Sequence, residues 1–347
     1  MSKDFRAVLD RFLDEYGQTE HYNGVVRITH HDEVIYHRNV GYADCENRLE
    51  FTKDSIFNLY SITKAFCAIG FMKLVDRGLV DLDKHPGVYL PEASDFDSRV
   101  TLRHILQHTS GLPDFAQDTD MRTKRPGATS AQLRSYLKEL ASYPMHFDPG
   151  TGGHYANINY MIPAFIIEEL TGQLFADYLK KEVLDPLGAT TAKVLLKGDE
   201  VPNRVKGYEL RDGEVVHVLP SDDWMYGAGD LVGTVDDVYT LNHAVKHRML
   251  LSESSWQQVL TPSPHNYKGF GCTITKFGQK DRITHNGGAR GFRTLHIHIP
   301  EDDFDIIALS NSGWGDSRAH ISNAIFDACY GEDREPQVDI EMDKGYI

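Results

Sequence analysis

Hydrophobic periods of two residues and of 3.6 residues fall in different parts of this chain, and that division constrains its fold more than any other feature. Near the start, Val25 to Ile28 and Glu33 to Arg38 are strand-like runs on either side of His30-His31-Asp32, which predicts a hairpin. Near the end, Leu295, Ile297 and Ile299 alternate with Thr294, His296 and His298, and Phe304 to Leu309 follows as a second apolar run after the turn Pro300-Glu301-Asp302-Asp303. From about Asp76 to Thr190 the signals are helical: Leu102 to His108, Ser130 to Tyr143, Asn159 to Thr171 and Leu174 to Leu184. Helical patterns also bracket the strands. Phe5, Val8, Leu9, Phe12, Leu13 and Tyr16 form one, and Ile321, Ala324, Ile325 and Ala328 within Ser317 to Tyr330 form the other. The expected architecture is mixed α+β, an antiparallel β-sheet flanked by N- and C-terminal helices with an all-helical lobe inserted. Residues 1–75 plus 191–347 would build the sheet-containing lobe and 76–190 the helical lobe, with a site in the cleft between them.

Three short elements arrive in an order that suggests chemistry. The first is Ser61-Ile62-Thr63-Lys64. Ala65 to Val75 is nearly all apolar and long enough for a buried helix, so Ser61 is placed at a helix start, where free N–H groups favour an anion. Lys64 falls one turn further on the same side, as a nucleophile and a neighbouring cation require. The same pattern recurs at Ser135-Tyr136-Leu137-Lys138, but Leu133, Leu137 and Leu140 make the apolar stripe there and Ser135 and Lys138 fall on the solvated face.

The second element, Tyr155-Ala156-Asn157, follows the turn-forming run Asp148-Pro149-Gly150-Thr151-Gly152-Gly153. A lysine ammonium about 4 Å from a phenol contributes roughly 4 kcal/mol at an effective dielectric of 20, about 3 pKa units, before desolvation opposes it. Asn157 can bond both that lysine and a substrate amide. The third is His285-Asn286-Gly287-Gly288, reached through Tyr267 to Phe277 and Arg282 to His285 around the turn Gly278-Gln279-Lys280-Asp281. Glycines there let a substrate lie against the strand and leave the Gly288 N–H, with that of Ser61, as an oxyanion hole. A simple bulge or turn is the other reading of that segment.

Together these residues resemble the serine β-lactamase and penicillin-binding-protein superfamily, in its class C and D-alanyl-D-alanine carboxypeptidase-like branch. Leu106-Gln107-His108-Thr109-Ser110-Gly111-Leu112-Pro113, Pro149-Gly150-Thr151, Pro186-Leu187-Gly188 and Gly227-Ala228-Gly229-Asp230-Leu231 extend the likeness over roughly residues 20 to 330. The resemblance implies Ser61 as nucleophile, Lys64 as its activating partner and Tyr155 as general acid/base. It implies Asn157, His285, Asn286 and Gly287 as substrate-binding residues, and a small-molecule amide, ester or β-lactam as substrate. Many β-lactamases of the superfamily carry Lys-Thr-Gly where this chain has His285-Asn286-Gly287. A histidine is mostly neutral at pH 7, so an amide or ester is favoured over efficient β-lactam hydrolysis. A β-lactamase proper, and a penicillin-binding or ligand-sensing protein acylated without turnover, are the alternatives. An α/β-hydrolase would carry Gly-x-Ser-x-Gly, which does not occur; Ser310-Asn311-Ser312-Gly313 reads as a strand end and turn.

Composition narrows the partners. With 347 residues, 41% of them hydrophobic, the chain can bury a large core. A net charge of −15 argues against nucleic acid and anionic membranes, and no apolar run reaches the roughly 18 residues of a membrane span. The start, Met1-Ser2-Lys3-Asp4-Phe5, does not read as a signal peptide. Cys45, Cys67, Cys272 and Cys329 show no metal spacing, so free thiols and a cytoplasmic location are expected. No cofactor is expected. His104 with His108 and His296 with His298 lack the glutamate of a zinc-protease pattern, so no metal is expected either; His108 is expected to brace its loop, and the strand pair to face solvent or helix.

Overall fold

The computed structural model describes residues 4–114, 130–219, 225–315 and 317–331. The amphipathic start folds as α1 (Phe5–Thr19), burying Phe5, Leu9 and Leu13. Strands β1 (Gly24–His30) and β2 (Glu33–Val40) make the expected hairpin. Its turn residues His31 and Asp32 both take left-handed backbone, with φ of 52° and 61°, which matches the twist of the flanking strands. A two-residue β3 (Phe57–Asn58) and one 3-10 turn (Tyr60–Ile62) lead into α2 (Thr63–Asp76), buried along almost its whole length.

Among the described residues, α3 (Leu102–Leu106), α4 (Ser130–Leu140), α5 (Ile158–Thr171) and α6 (Phe175–Leu179) follow, the last continuing through a π turn at Lys180–Leu184 into α7 (Asp185–Leu187). Next come β4 (Lys193–Val194), β5 (Gly207–Arg211), β6 (Glu214–Val218) and β7 (Leu231–Gly233), then α8 (Val235–Lys246) and α9 (Glu253–Val259). The chain closes with β8 (Thr273–Phe277), β9 (Lys280–Ala289), β10 (Phe292–Ile299), β11 (Phe304–Ser310) and α10 (Ser317–Tyr330).

The main sheet has the order β2-β1-β11-β10-β9-β8, with every neighbouring pair antiparallel. First and last strands therefore pair inside the sheet, from Gly24 opposite Ser310 to His30 opposite Phe304. One face is covered by the terminal helices, where Leu9, Leu13, Ile321 and Ile325 pack with Val26, Ile28, Ile297 and Ile306. Each such side chain contributes about 1.5–3 kcal/mol by leaving water. On the opposite face Val25, Ile307 and Leu309 join a larger core that includes α2 and α5. The strand histidines belong to the buried interior, not to solvent: His296 hydrogen-bonds Asn242 of α8, and His298 bonds Asp305 on β11.

Some details differ from the sequence reading. Only Thr273–Phe277 of the expected strand from Tyr267 is strand, because Tyr267 (φ 58°) and Gly271 (φ 73°) turn the chain first. Gly271 lies so close to α2 that a Cβ would stand 2.6 Å from the Ala65 Cα and the Lys64 carbonyl oxygen. The following turn is tighter than Gly278 to Asp281, since β9 begins at Lys280 and runs without a break through Asn286, Gly287 and Gly288. The small sheets β3-β7-β4 and β5-β6 carried no expectation. The segment Pro202 to Trp224 carries the β5-β6 hairpin, and residues 115–129 and 220–224 lie outside the described residues. Among the described residues no helix is long and apolar enough to cross a membrane.

Candidate active site

Ser61 occupies the 3-10 turn that enters α2. The residue before it, Tyr60, has φ of 46°, a conformation that bulky side chains avoid and that concentrates at functional turns. It is held there by burial and by Phe292, whose ring centroid lies 6.0 Å away. Lys64, one turn on, is fully buried. Its Nζ donates to Ser61 Oγ at 2.9 Å, Asn157 Oδ1 at 2.9 Å and the Ala228 carbonyl at 2.6 Å. Three acceptors for three ammonium protons offset the cost of burying the charge.

Tyr155 Oη donates to the same Ser61 Oγ at 2.7 Å. The phenol ring stacks on His108, with centroids 4.5 Å apart and planes 25° apart. Lys64 Nζ lies 4.9 Å and Lys268 Nζ 5.3 Å from the ring centroid, so two ammonium groups face it. His108 Nδ1 accepts from the Ala156 amide at 3.2 Å, which ties the ring beneath Tyr155 to the residue beside it. Burial, then the charges of Lys268 and Lys64, keep that imidazole well below its usual titration range, and thus neutral.

Asn157 bridges Lys64 and Asp114. While its Oδ1 accepts from Lys64, its Nδ2 donates to Asp114 Oδ2 at 3.1 Å. Behind Lys64, Asp230 is also buried, and its Oδ2 accepts from the Gly227 amide at 3.1 Å, bracing the turn whose Ala228 carbonyl faces Lys64. Its Oδ1 is buried without a partner. Burial pushes this carboxyl up to about 7.

The glycine strand reaches the same place. A Cβ on Gly287 would stand 2.2 Å from the Leu59 carbonyl oxygen and 3.1 Å from the Ser61 nitrogen, so β9 can approach the serine only without a side chain there. Asn286 and Gly288 flank that contact on β9. His285 is buried with Nδ1 2.6 Å from the Gly271 carbonyl. Burial and the Lys268 and Lys64 charges hold its imidazole well below the usual range.

Ser61, Lys64, Tyr155, Asn157 and Gly287 are thus brought together from α2, the loop before α5, and β9. Ser135 is exposed and bonds the Gln132 carbonyl, while Lys138 is also exposed. His104 Nδ1 accepts from the Thr101 amide in the capping box of α3. Sequence reasoning missed Lys268 and Asp114, which no motif marks, and the Ala228 carbonyl, whose role is a backbone property.

Comparisons with known proteins concern the chain as a whole. The profile of the family described as Beta-lactamase matches residues 9–329. Penicillin-binding protein 4* of Bacillus subtilis is 26% identical over 334 residues, covering 90% of this chain and 73% of the relative. The D-aminopeptidase of Gluconobacter oxydans is 24% identical, over 90% of this chain but 60% of its own length. Among solved structures, D-amino acid amidase from Ochrobactrum anthropi superposes with a TM-score of 0.79 at 23% identity, covering 94% of this chain and 99% of that one.

Proposed function

The chain belongs to the Beta-lactamase family, and on that premise we propose that it is a serine hydrolase acting through an acyl-enzyme on Ser61. The observation that carries this reading is the convergence of Tyr155 Oη and Lys64 Nζ on Ser61 Oγ, at 2.7 and 2.9 Å. Three oxygen atoms within 2.9 Å surround Lys64 Nζ, which supports an ammonium there. In this reading it stays an ammonium, and Tyr155, once it has lost its own proton, turns from donor to acceptor and takes the serine proton. Attack forms the Ser61 ester, and Tyr155 returns the proton to the leaving amine or alcohol. Water then enters against the same base and frees the acid. The amides of Ser61 and Gly288 serve as the oxyanion hole, a role supported by how closely Gly287 approaches the Ser61 nitrogen. Asn157 and Asn286 orient the substrate.

The substrate class is a small amide or ester, with D-amino-acid amides and peptides first and β-lactams after them. Two things support that order. His285 is neutral and bonded to Gly271, so it offers no permanent charge to a carboxylate. Relatives include a D-aminopeptidase and a D-amino acid amidase. The division into lobes 1–75 plus 191–347 and 76–190, with the site between them, belongs to the same proposal, as does a cytoplasmic location, supported by four free cysteines.

Intact-mass spectrometry with a fluorophosphonate and, separately, a penicillin tests the reading. One adduct on the wild-type protein that is missing from Ser61→Ala is expected, with steady release of acid from D-amino-acid amides or esters. Labelling unchanged in Ser61→Ala would place the chemistry elsewhere, and acylation without release would make the protein a ligand sensor.

A further inference from the structure

We infer a transition-metal site formed by Asp32, His243 and His247, independent of the Ser61 reading. The carboxylate comes from the left-handed turn between β1 and β2, the imidazoles from one face of α8 and its C-terminal cap. One ligand atom from each residue lies within 4.8 Å of the others. The two rings, four residues apart, have centroids 4.2 Å apart, and His247 Nε2 is 4.0 Å from Asp32 Oδ2. Donors at about 2.0–2.2 Å from a tetrahedral ion stand roughly 3.3–3.6 Å from one another. Side-chain motion of about 1 Å closes the difference, and Asp32 and His247 are exposed enough to make it.

The donor set selects the ion. Two imidazoles and one carboxylate suit zinc, nickel, cobalt or copper(II), and are poor for magnesium or calcium, which prefer all-oxygen shells. Three protein ligands leave the remaining positions to water.

The carboxylate is also held in place before any ion arrives. Tyr239 Oη donates to Asp32 Oδ1 at 2.6 Å, leaving Oδ2 toward the histidines. A hydrogen bond of that kind orients a ligating carboxylate from the outer shell. Oδ2 is shared with Lys246 Nζ, so a metal must compete with an ammonium. Lys246 has a second acceptor, Asp303 Oδ2 at 2.7 Å, and keeps a partner when Asp32 turns to the ion. Ligands that lie 211 residues apart in sequence meet only in the folded state. The ion therefore pins the hairpin turn to α8, and its binding energy adds to folding stability.

Titration calorimetry of chelator-treated full-length protein with ZnCl2 and with NiCl2 tests the site, with thermal melting as a second readout. The expected result is one ion per chain and a melting temperature that rises with metal. His243→Ala and His247→Ala should each weaken binding by tenfold or more and remove the thermal shift, and Asp32→Asn should weaken it less. Hydrolytic activity should not change in any of them. Should His243→Ala fail to fold, the exposed His247→Ala carries the test. Unchanged binding in His243→Ala and His247→Ala would assign the ion to other histidines, and absence of binding by the wild-type protein would equally overturn the site.

Discussion

Ser61–Lys64 and Ser135–Lys138 are the same four-residue pattern on two helices, and the fold treats them in opposite ways. On α2 the lysine is fully buried and surrounded by three acceptors, with a tyrosine hydroxyl converging on the serine. On α4 the serine bonds a carbonyl of its own helix and the lysine is in water. Helical spacing supplies only the neighbourhood of a hydroxyl and a cation. What makes chemistry possible is desolvation together with acceptors drawn from distant parts of the chain. A buried ammonium polarises its neighbours, whereas a solvated one is screened.

Substitutions at matched positions probe that contrast. Ser61→Ala should lower acyl-transfer turnover by on the order of 10⁴-fold or more, with Ser135→Ala at the wild-type rate; a Ser61→Ala enzyme that still turns over would abolish the distinction. Lys64→Met should lower kcat/KM by on the order of 10³-fold, and Lys138→Met should leave it alone. Tyr155→Phe keeps the stack on His108 and loses only the proton carrier, so a drop of about a hundredfold or more is expected in turnover, with substrate binding retained.

The fourth test concerns stability behind Lys64. The Asp230 carboxyl lies at about 7 in the fold against 3.8 for the free group, so between roughly pH 4 and pH 7 the unfolded chain releases a proton that the folded chain keeps. Stability should therefore fall as pH rises through that window and level off above pH 7, by at most about 4 kcal/mol. Asp230→Asn should flatten that slope in denaturant titrations from pH 4 to pH 8; a slope identical to wild type would show that Asp230 ionises as easily in the fold as outside it. Smallest of all, Lys138→Ala should change unfolding free energy by no more than about 0.5 kcal/mol.

The sequence was informative where the signal is local. Terminal strands and helices were legible because their apolar residues repeat at two or 3.6 positions, and Ser61, Lys64 and Tyr155 because each motif sits in a recognisable run. Lys268 was not, since its place beside Tyr155 depends on the turns at Tyr267 and Gly271. Asp114 was missed for the same reason: its partner Asn157 is 43 residues away. Two omissions had usable signals. Asp212-Gly213 between Gly207–Arg211 and Glu214–Val218 is a hairpin turn pattern, and Thr234 with Asp237 is a helix-capping pair. The strands β3, β4 and β7, of two or three residues each, are too short for any periodicity to register.

The pairing of β1 with β11 sets a schedule for biosynthesis. Gly24 finds its partner only when Ser310 has left the ribosome, tens of seconds later at about 5–20 residues per second. Until then the early hairpin has an open edge and an apolar face that its later partners have yet to cover, the kind of surface through which incomplete chains associate.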